Sequence, residues 1–418
     1  MAQGGDCFRF LSPQEECLRE MNKTFQYRLY PTKKQQTMLN KWLALCCETY
    51  NAALQERRDA YRMAGISLGY SHQCAELPAC KEVRPELAEV HSQVLQDVLK
   101  RVDRAFDGFF RRVKEGQQQG YPRFRSSLRY HSLTFKQYQN SFDVLAGKKQ
   151  KGTLILSKLG HIKMVMHRPL TGIPKTATVK RTPTGKWFVS ISVESELEAD
   201  ALPPSEAQVG IDVGLKTFAY LSTGGQIDNP RFFRKEEQAL ARAHRKLSKE
   251  QKGTPQREKR RKVVARVHER VRWRRENFIR QEVASLIKRF GLIAVEALVV
   301  RNMVKNPKLA KSIADAAWSS FFAHLLSKAE EAGREVVRVN PAYTSQTCSG
   351  CGHRKALPLS VRVYECPSCG LVIDRDHNGS KNILDEALEA VGRHGRVIPE
   401  APGLQPWGVV TAAKPASI

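Results

Sequence analysis

Val209-Gly-Ile-Asp-Val-Gly-Leu-Lys216 is the stretch on which the fold turns. Val209, Ile211 and Val213 describe a buried strand, yet Asp212 sits inside it between Gly210 and Gly214. A carboxylate in an apolar strand is costly unless a metal ion or another charge compensates it. Two further acids follow downstream. Glu296 ends the apolar run Leu292-Ile-Ala-Val-Glu296, and Asp376 lies in Asp374-Arg-Asp-His-Asn378, just beyond Cys348, Cys351, Cys366 and Cys369.

Working outward from Val209, Phe218–Leu221 reads as a partner strand across a short turn and Leu292–Glu296 as another strand after a long helical stretch. Trp318, Phe321, Phe322, Leu325, Leu326 and Ala329 mark a helix, and Glu335–Val339 a further strand. This order of strands and helices is compatible with an RNase H-like fold in a multidomain α/β chain. Such a sheet brings an Asp on its first strand, a Glu at the end of a later strand and an Asp on a C-terminal helix into one cluster. Clustered carboxylates repel unless divalent cations neutralise them. Two Mg2+ ions about 3.5–4 Å apart would activate water and stabilise the leaving oxygen of a phosphodiester, and oxygen-only ligands favour Mg2+ or Mn2+ over zinc. The chemistry indicated is in-line hydrolysis by a metal-dependent nuclease. Each acid also has a duller reading. Asp212 could end a strand in a turn, Glu296 could pair with an arginine, and Asp376 could cap the helix of 378–388. Asp374 competes for the third position, and His377 reads as a neighbour rather than a ligand.

Composition points to the same partner class. Among 418 residues, 69 Lys and Arg face 42 Asp and Glu, a formal charge of +27, which raises the local concentration of polyanions. The last four of the ten cysteines form C-x2-C-x14-C-x2-C, spacing suited to one tetrahedral thiolate zinc site rather than disulfides. No apolar run approaches membrane-spanning length and residues 1–20 lack a signal-peptide core, so the expectation is a soluble chain in a reducing cytoplasm, with no membrane partner.

In the N-terminal half, Phe25, Tyr27 and Leu29 alternate as a strand that stops at Pro31. Thr32 is placed to cap a helix carrying Met38, Leu39, Trp42, Leu43, Cys46, Tyr50, Ala53 and Leu54 at helical spacing. A second amphipathic stripe runs from Val94 through Phe106, Phe109 and Phe110 to Val113 and reads as core. Residues 153–166 and 177–194 read as strands, the second broken by a turn at Pro183-Thr184-Gly185, and 196–206 as a linker. Tyr121, Arg123, Phe124 and Arg125 interleave aromatic and basic side chains, which can stack on unpaired bases while neutralising phosphate. The basic stretch 231–280 holds Lys259, Arg260, Arg261, Arg272, Arg274 and Arg275, which suit a phosphate-lined channel.

Phe25-Gln-Tyr-Arg-Leu-Tyr-Pro-Thr32, Tyr121-Pro-Arg-Phe124, Gly210-Ile-Asp-Val-Gly214, Leu309-Ala-Lys-Ser-Ile313, Thr344-Ser-Gln-Thr-Cys348 and Asp374-Arg-Asp-His-Asn378 occur in this order. As a set the chain resembles TnpB, the RNA-guided endonuclease encoded by insertion sequences, from about residue 21 to residue 388, and more distantly the compact type V CRISPR effectors. The resemblance implies a RuvC-like nuclease domain at 207–343 and 373–390, interrupted by a zinc-binding domain at 344–372. It also implies an N-terminal β-barrel wedge at 21–50 and 126–200 with a helical recognition insertion at 51–125. Residues 1–20 and 391–418 form an extension and a tail without counterpart. By the same resemblance, a noncoding guide RNA from the transposon end directs cleavage of double-stranded DNA beside a short adjacent motif. Base pairing reads the target while the protein reads the motif and the shape of the heteroduplex. Asp212, Glu296 and Asp376 match the family's catalytic, magnesium-binding positions, and the four cysteines match its zinc ligands. The implied particle is a monomeric ribonucleoprotein in a prokaryotic cytoplasm, associated with the nucleoid. Two departures are Ala297, where another acid is common, and Gly379-Ser380 in place of Ala-Ala. The rival functions are an RNA-guided DNA-binding regulator that does not cut and a transposase-type strand transferase.

Overall fold

The computed structural model describes residues 21–118, 120–195, 202–358 and 361–392. The expected extension at 1–20, nearly all of the tail and the first part of the linker lie outside the described residues. The chain divides into two compact units at 197/198.

In the first unit, β1 (Met21–Tyr30) leads into α1 (Lys33–Ala64), followed by α2 (Tyr70–Ala75), α3 (Leu77–Val83) and α4 (Ser92–Lys114). Six more strands follow: β2 (Ser132–Phe135), β3 (Phe142–Ala146), β4 (Lys151–Leu156), β5 (Gly160–Val165), β6 (Ile173–Arg181) and β7 (Trp187–Ser195). They form one seven-stranded antiparallel sheet in the order β2-β6-β7-β1-β5-β4-β3. The first strand in sequence is thus the middle strand in space, which is why Phe25, Tyr27 and Leu29 are buried. The start of α1 is fixed by a reciprocal cap. Thr32 Oγ1 accepts from Gln35 N–H at 3.3 Å and Gln35 Oε1 accepts from Thr32 N–H at 3.0 Å. The helix ends at Gly65, whose φ of 66° is left-handed. It runs unbroken across residues 50 and 51, where the sequence reading set a domain boundary. The stripe on α4 is core only in its first half. Val94, Leu95, Val98, Leu99 and Val102 are buried, whereas Phe110 and Val113 are exposed. There Phe106, Phe109, Phe110 and Tyr121 pack ring against ring at the end of the helix.

The second unit is built on a five-stranded sheet, β8 (Gln208–Val213), β9 (Thr217–Leu221), β10 (Gln226–Asp228), β11 (Leu292–Glu296) and β12 (Glu335–Val339), in the order β10-β9-β8-β11-β12. β8, β9 and β10 are antiparallel in turn, β11 is parallel to β8, and β12 is parallel to β11. The hairpin of α5 (Phe232–Ser248) and α6 (Pro255–Arg289) connects β10 to β11. The short helices α7 (Val300–Met303) and α8 (Ala310–Ala316) and then α9 (Trp318–Glu331) connect β11 to β12. A two-stranded ribbon, β13 (Val363–Glu365) with β14 (Val372–Asp374), precedes α10 (Arg375–Gly392).

Side-chain alternation gives the sheet two apolar faces. Val209, Ile211, Ile293 and Val295 pack with Val283, Leu286, Phe321 and Leu325 of α6 and α9. Leu292, Ala294, Val337 and Val339 pack with Ile383 and Ala387 of α10. Gly210 belongs to the α10 face, and a Cβ there would stand 2.0 Å from the Ser380 carbonyl oxygen and 2.8 Å from Leu384 N. Only glycine admits α10 so close to the sheet.

A carboxylate centre and a four-thiol cluster

Period two dictates where the acids go. Asp212 is two residues beyond Gly210, so it faces α10, and Glu296 is two residues beyond Ala294 on the same face. The pairing of β11 with β8 sets Ala294 opposite Gly210 and Val295 opposite Ile211, and one step further along this register Glu296 falls beside Asp212. Asp376 comes from the first turn of α10. A Cβ on Gly379 would lie 2.9 Å from Asp212 Oδ2, and one on Gly214 would lie 3.9 Å from Asp376 Oδ2. Three segments far apart in sequence thus converge at the ends of β8 and β11.

Electrostatics there are adverse. Burial, together with the charges of Glu296 and Asp376, holds the Asp212 carboxyl well above its ordinary 3.8. Burial also raises Glu296, countered by the Thr344 hydroxyl, which donates to Glu296 Oε1 at 2.6 Å. Burial raises Asp376, countered by Arg362, whose Nη1 lies 3.2 and 3.4 Å from its two oxygens. Asp374, the competitor for the third position, has a different task. Its Oδ1 accepts from the N–H groups of Asp376 and His377 at 2.8 and 3.3 Å, capping α10. Asp376 is thereby released from capping. The His377 ring nitrogen Nε2 lies 3.2 Å from the Ser222 carbonyl.

The four cysteines meet at one point. Cys348 and Cys369 Sγ are 3.6 Å apart, Cys351 and Cys366 3.5 Å, and all four sulfurs lie within 4.8 Å of one another. Tetrahedral thiolates at about 2.3 Å from one ion stand a little under 4 Å apart, so the donor set fits a single metal ion. Among the described residues no other group of three or more His, Cys, Asp or Glu is so close. The three carboxylates are therefore wider apart than the thiols. The cluster is tied to α10 by two asparagines one turn apart. Asn378 accepts from Ser349 N–H at 2.9 Å and donates to the Thr347 carbonyl at 2.7 Å, while Asn382 donates to the carbonyls of Thr344 and Thr347. Thr344, Arg362, Asn378 and Asn382 were not singled out as site residues from sequence. Of these, only Thr344 and Asn378 carried a signal, lying inside the motif runs 344–348 and 374–378.

The basic and aromatic residues divide between the units. In the first, Tyr121 packs edge-on against Phe106 and Phe109, Arg123 and Phe124 are exposed, and Arg125 stacks on Tyr50. Asn51 grips the Arg125 backbone by both its N–H and its carbonyl. In the second, Lys259, Arg260, Arg261, Arg272, Arg274 and Arg275 all lie on α6. Several already have partners: Arg260 with Glu250, Arg272 with Glu276, Arg274 with Glu236 and Arg275 with Asp315.

Family models match three segments, described as a helix-turn-helix domain at 21–65, a "Probable transposase" at 189–307 and a Cas12f1-like TNB domain at 318–383. The structure of 21–65 is one strand and one continuous helix. A protein of Streptomyces pristinaespiralis named "Putative RNA-guided DNA endonuclease" is 36% identical over 380 residues, spanning 89% of this chain and 91% of that one. An Escherichia coli (strain K12) protein of the same description, InsQ, is 29% identical over 87% of this chain and 91% of its own. The Cas12f1 chain in a cryo-EM structure of a Cas12f1–sgRNA–target DNA complex shares the fold with a TM-score of 0.56 at 14% identity, covering 87% of this chain and 98% of that one. Fold and thiol cluster together define a class, multidomain α/β proteins that share the fold of this Cas12f1 chain. Within that class, the chain belongs to the TnpB family. No helix among the described residues is long and apolar enough to cross a membrane.

Proposed function

We propose that this chain is an RNA-guided DNA endonuclease that hydrolyses phosphodiesters at Asp212, Glu296 and Asp376. The observation that carries the reading is the convergence of these three acids on one face of the β8/β11 sheet, in a chain so similar to proteins named for that activity. The second unit is then a RuvC-like, RNase H-like domain at 207–343 and 373–390 with the ribbon at 344–372 inserted. The seven-stranded sheet of the first unit is the β-barrel wedge, and its helices are the recognition insertion. The partners are a guide RNA from the transposon end and double-stranded DNA next to a short motif.

All three catalytic groups are oxygen donors, a set that suits Mg2+ or Mn2+. When bound, two such ions lower the pKa of a water and neutralise charge on the leaving oxygen. The protein's part is to hold three mutually repelling carboxylates ready. Thr344 fixes one oxygen of Glu296, Asp374 takes over the helix cap, and Arg362 neutralises Asp376 until a cation arrives. The four thiolates would hold one zinc ion in a structural role, taking no part in the hydrolysis.

The decisive experiment is plasmid cleavage by the protein purified with its transposon-end RNA, with the guide segment rewritten, in Mg2+ or EDTA. Cutting should follow the new guide and require metal. Guided binding without cutting would select the regulator instead, and joined rather than cut ends the strand transferase. Association with RNA should weaken steeply with salt, about 0.7 decades in affinity per decade of salt for each phosphate neutralised on a single strand, and a flat response would remove the phosphate-contact reading of α6.

Gly379 offers a finer test. Its missing side chain leaves space that the Asp212 carboxylate occupies. Gly379→Ala should gain up to about 1 kcal/mol of helix propensity while pressing on that carboxylate. The expected outcome is an unchanged or raised melting temperature with several-fold slower cleavage at limiting Mg2+. An unaltered Mg2+ titration would show that Asp212 has room to spare.

A further inference from the structure

Away from the carboxylates, the second unit holds a cavity of about 370 Å3 where α7 and α8 meet the start of α9, within the size range of small-molecule sites. Val300, Val304 and Ile313 give it an apolar wall, and Arg275, Arg301 and the Trp318-Ser319-Ser320 turn line the remainder, with no carboxylate in the lining. Arg275 is held in place from behind. Asp315, buried outside the cavity, accepts from Arg275 Nη2 at 2.9 Å and from the Phe233 N–H at 2.9 Å, so its own charge is already engaged. Two donors have no acceptor among the described residues. The Arg275 Nε–H is buried and unpaired, and so is the indole N–H of Trp318, a residue only 2% exposed. A buried donor left unpaired costs about 1–3 kcal/mol, and folded proteins retain few of them without a reason. The N-terminus of α9 opens with Ala317 at φ 57° and no side-chain cap, so its positive end is available to an anion.

Two arginines and a helix N-terminus beside an apolar wall have the chemistry of a nucleotide site. We propose that this cavity takes one nucleotide of a bound strand, its phosphate on Arg275, Arg301 and the start of α9 and its base against Val300, Val304 and Ile313. The inference rests on the nucleic-acid reading above and assigns that reading a place. It is independent of where, or whether, the chain cuts.

The test uses the full chain with its tryptophans replaced by 5-fluorotryptophan, observed by 19F NMR, with the Trp318 resonance identified by its loss in Trp318→Phe. Single-stranded RNA and single-stranded DNA decamers and inorganic phosphate are the probes, with strand binding followed in parallel by fluorescence anisotropy. The Trp318 resonance should move with at least one strand, and whichever strand moves it names the source of the nucleotide. Arg275→Gln strips the buried Asp315 of a partner and can cost the fold, so the exposed Arg301→Gln carries the second arm. It should leave the melting temperature unchanged, weaken that strand several-fold and reduce the salt slope by about 0.7–1. A resonance that stays still while anisotropy reports bound strand overturns the proposal, as does a response to phosphate alone. Loss of guided cleavage with this shift intact would refute the endonuclease and leave the pocket standing.

Discussion

Asp212→Asn should abolish cleavage and stabilise the protein at once. Removing a carboxylate that holds metal at a phosphoryl-transfer centre is expected to slow cutting by at least about 10^3-fold, with guide RNA binding retained. The gain in stability follows from the crowding of like charges. Asp212 has a native pKa well above 3.8, first because it is desolvated and then because Glu296 and Asp376 repel its charge. Its native state therefore binds a proton more tightly than the unfolded chain does. In EDTA, wild-type stability should fall as pH rises from about 4 through that elevated value. The asparagine variant should show a shallower decline, the part due to Glu296 and Asp376 remaining, and exceed the wild type near neutrality by about 0.5–2 kcal/mol, the usual size of such functional trade-offs. Adding Mg2+ should raise the melting temperature of the wild type and much less that of the variant. If both proteins melt alike at every pH in EDTA, the three acids are not mutually strained and the site assignment falls.

The second large effect concerns the thiols. Cys348→Ser with Cys351→Ser should reduce bound zinc from one ion per chain to none by elemental analysis. Structural zinc sites of this kind contribute about 10–16 kcal/mol of apparent binding energy at neutral pH, so the ribbon should become protease-sensitive. Cleavage should vanish too, although none of the four thiols hydrogen-bonds to Asp212, Glu296 or Asp376. The ribbon carries Arg362 to Asp376, and its leading segment carries Thr344 to Glu296. The same segment is what Asn378 and Asn382 clamp to α10. Full activity with zinc absent would show that these contacts are incidental.

Much of the candidate site is legible in the sequence because its residues break a local rule. A carboxylate inside Val209–Val213 and another at the end of Leu292–Glu296 are conspicuous for the same reason that they are costly. Thr32 announced α1 by cap chemistry, and the alternation of Phe25, Tyr27 and Leu29 announced β1. What escaped notice acts across distance. β2 and β3 have four and five residues, too few to show a period. The stripe on α4 continues past Val102 in sequence but not in burial, because periodicity reports which face a residue takes and not whether anything covers it. Arg362 and Asn382 are ordinary polar residues until the fold brings Asp376 and the Thr347 carbonyl to them. The reason for Gly379 lies in Asp212, which is remote in sequence.

The ribbon stands between β12 and α10, so the third acid and the helix that covers the Ala294 and Val337 face are among the last described parts of the chain to be made. On the ribosome, two carboxylates and the basic α6 exist well before Asp376 does. A nascent chain, or one cut short by a stop codon or a frameshift upstream of α10, thus holds an incomplete centre on an uncovered sheet. The three-acid cluster is therefore completed only once α10 has been made.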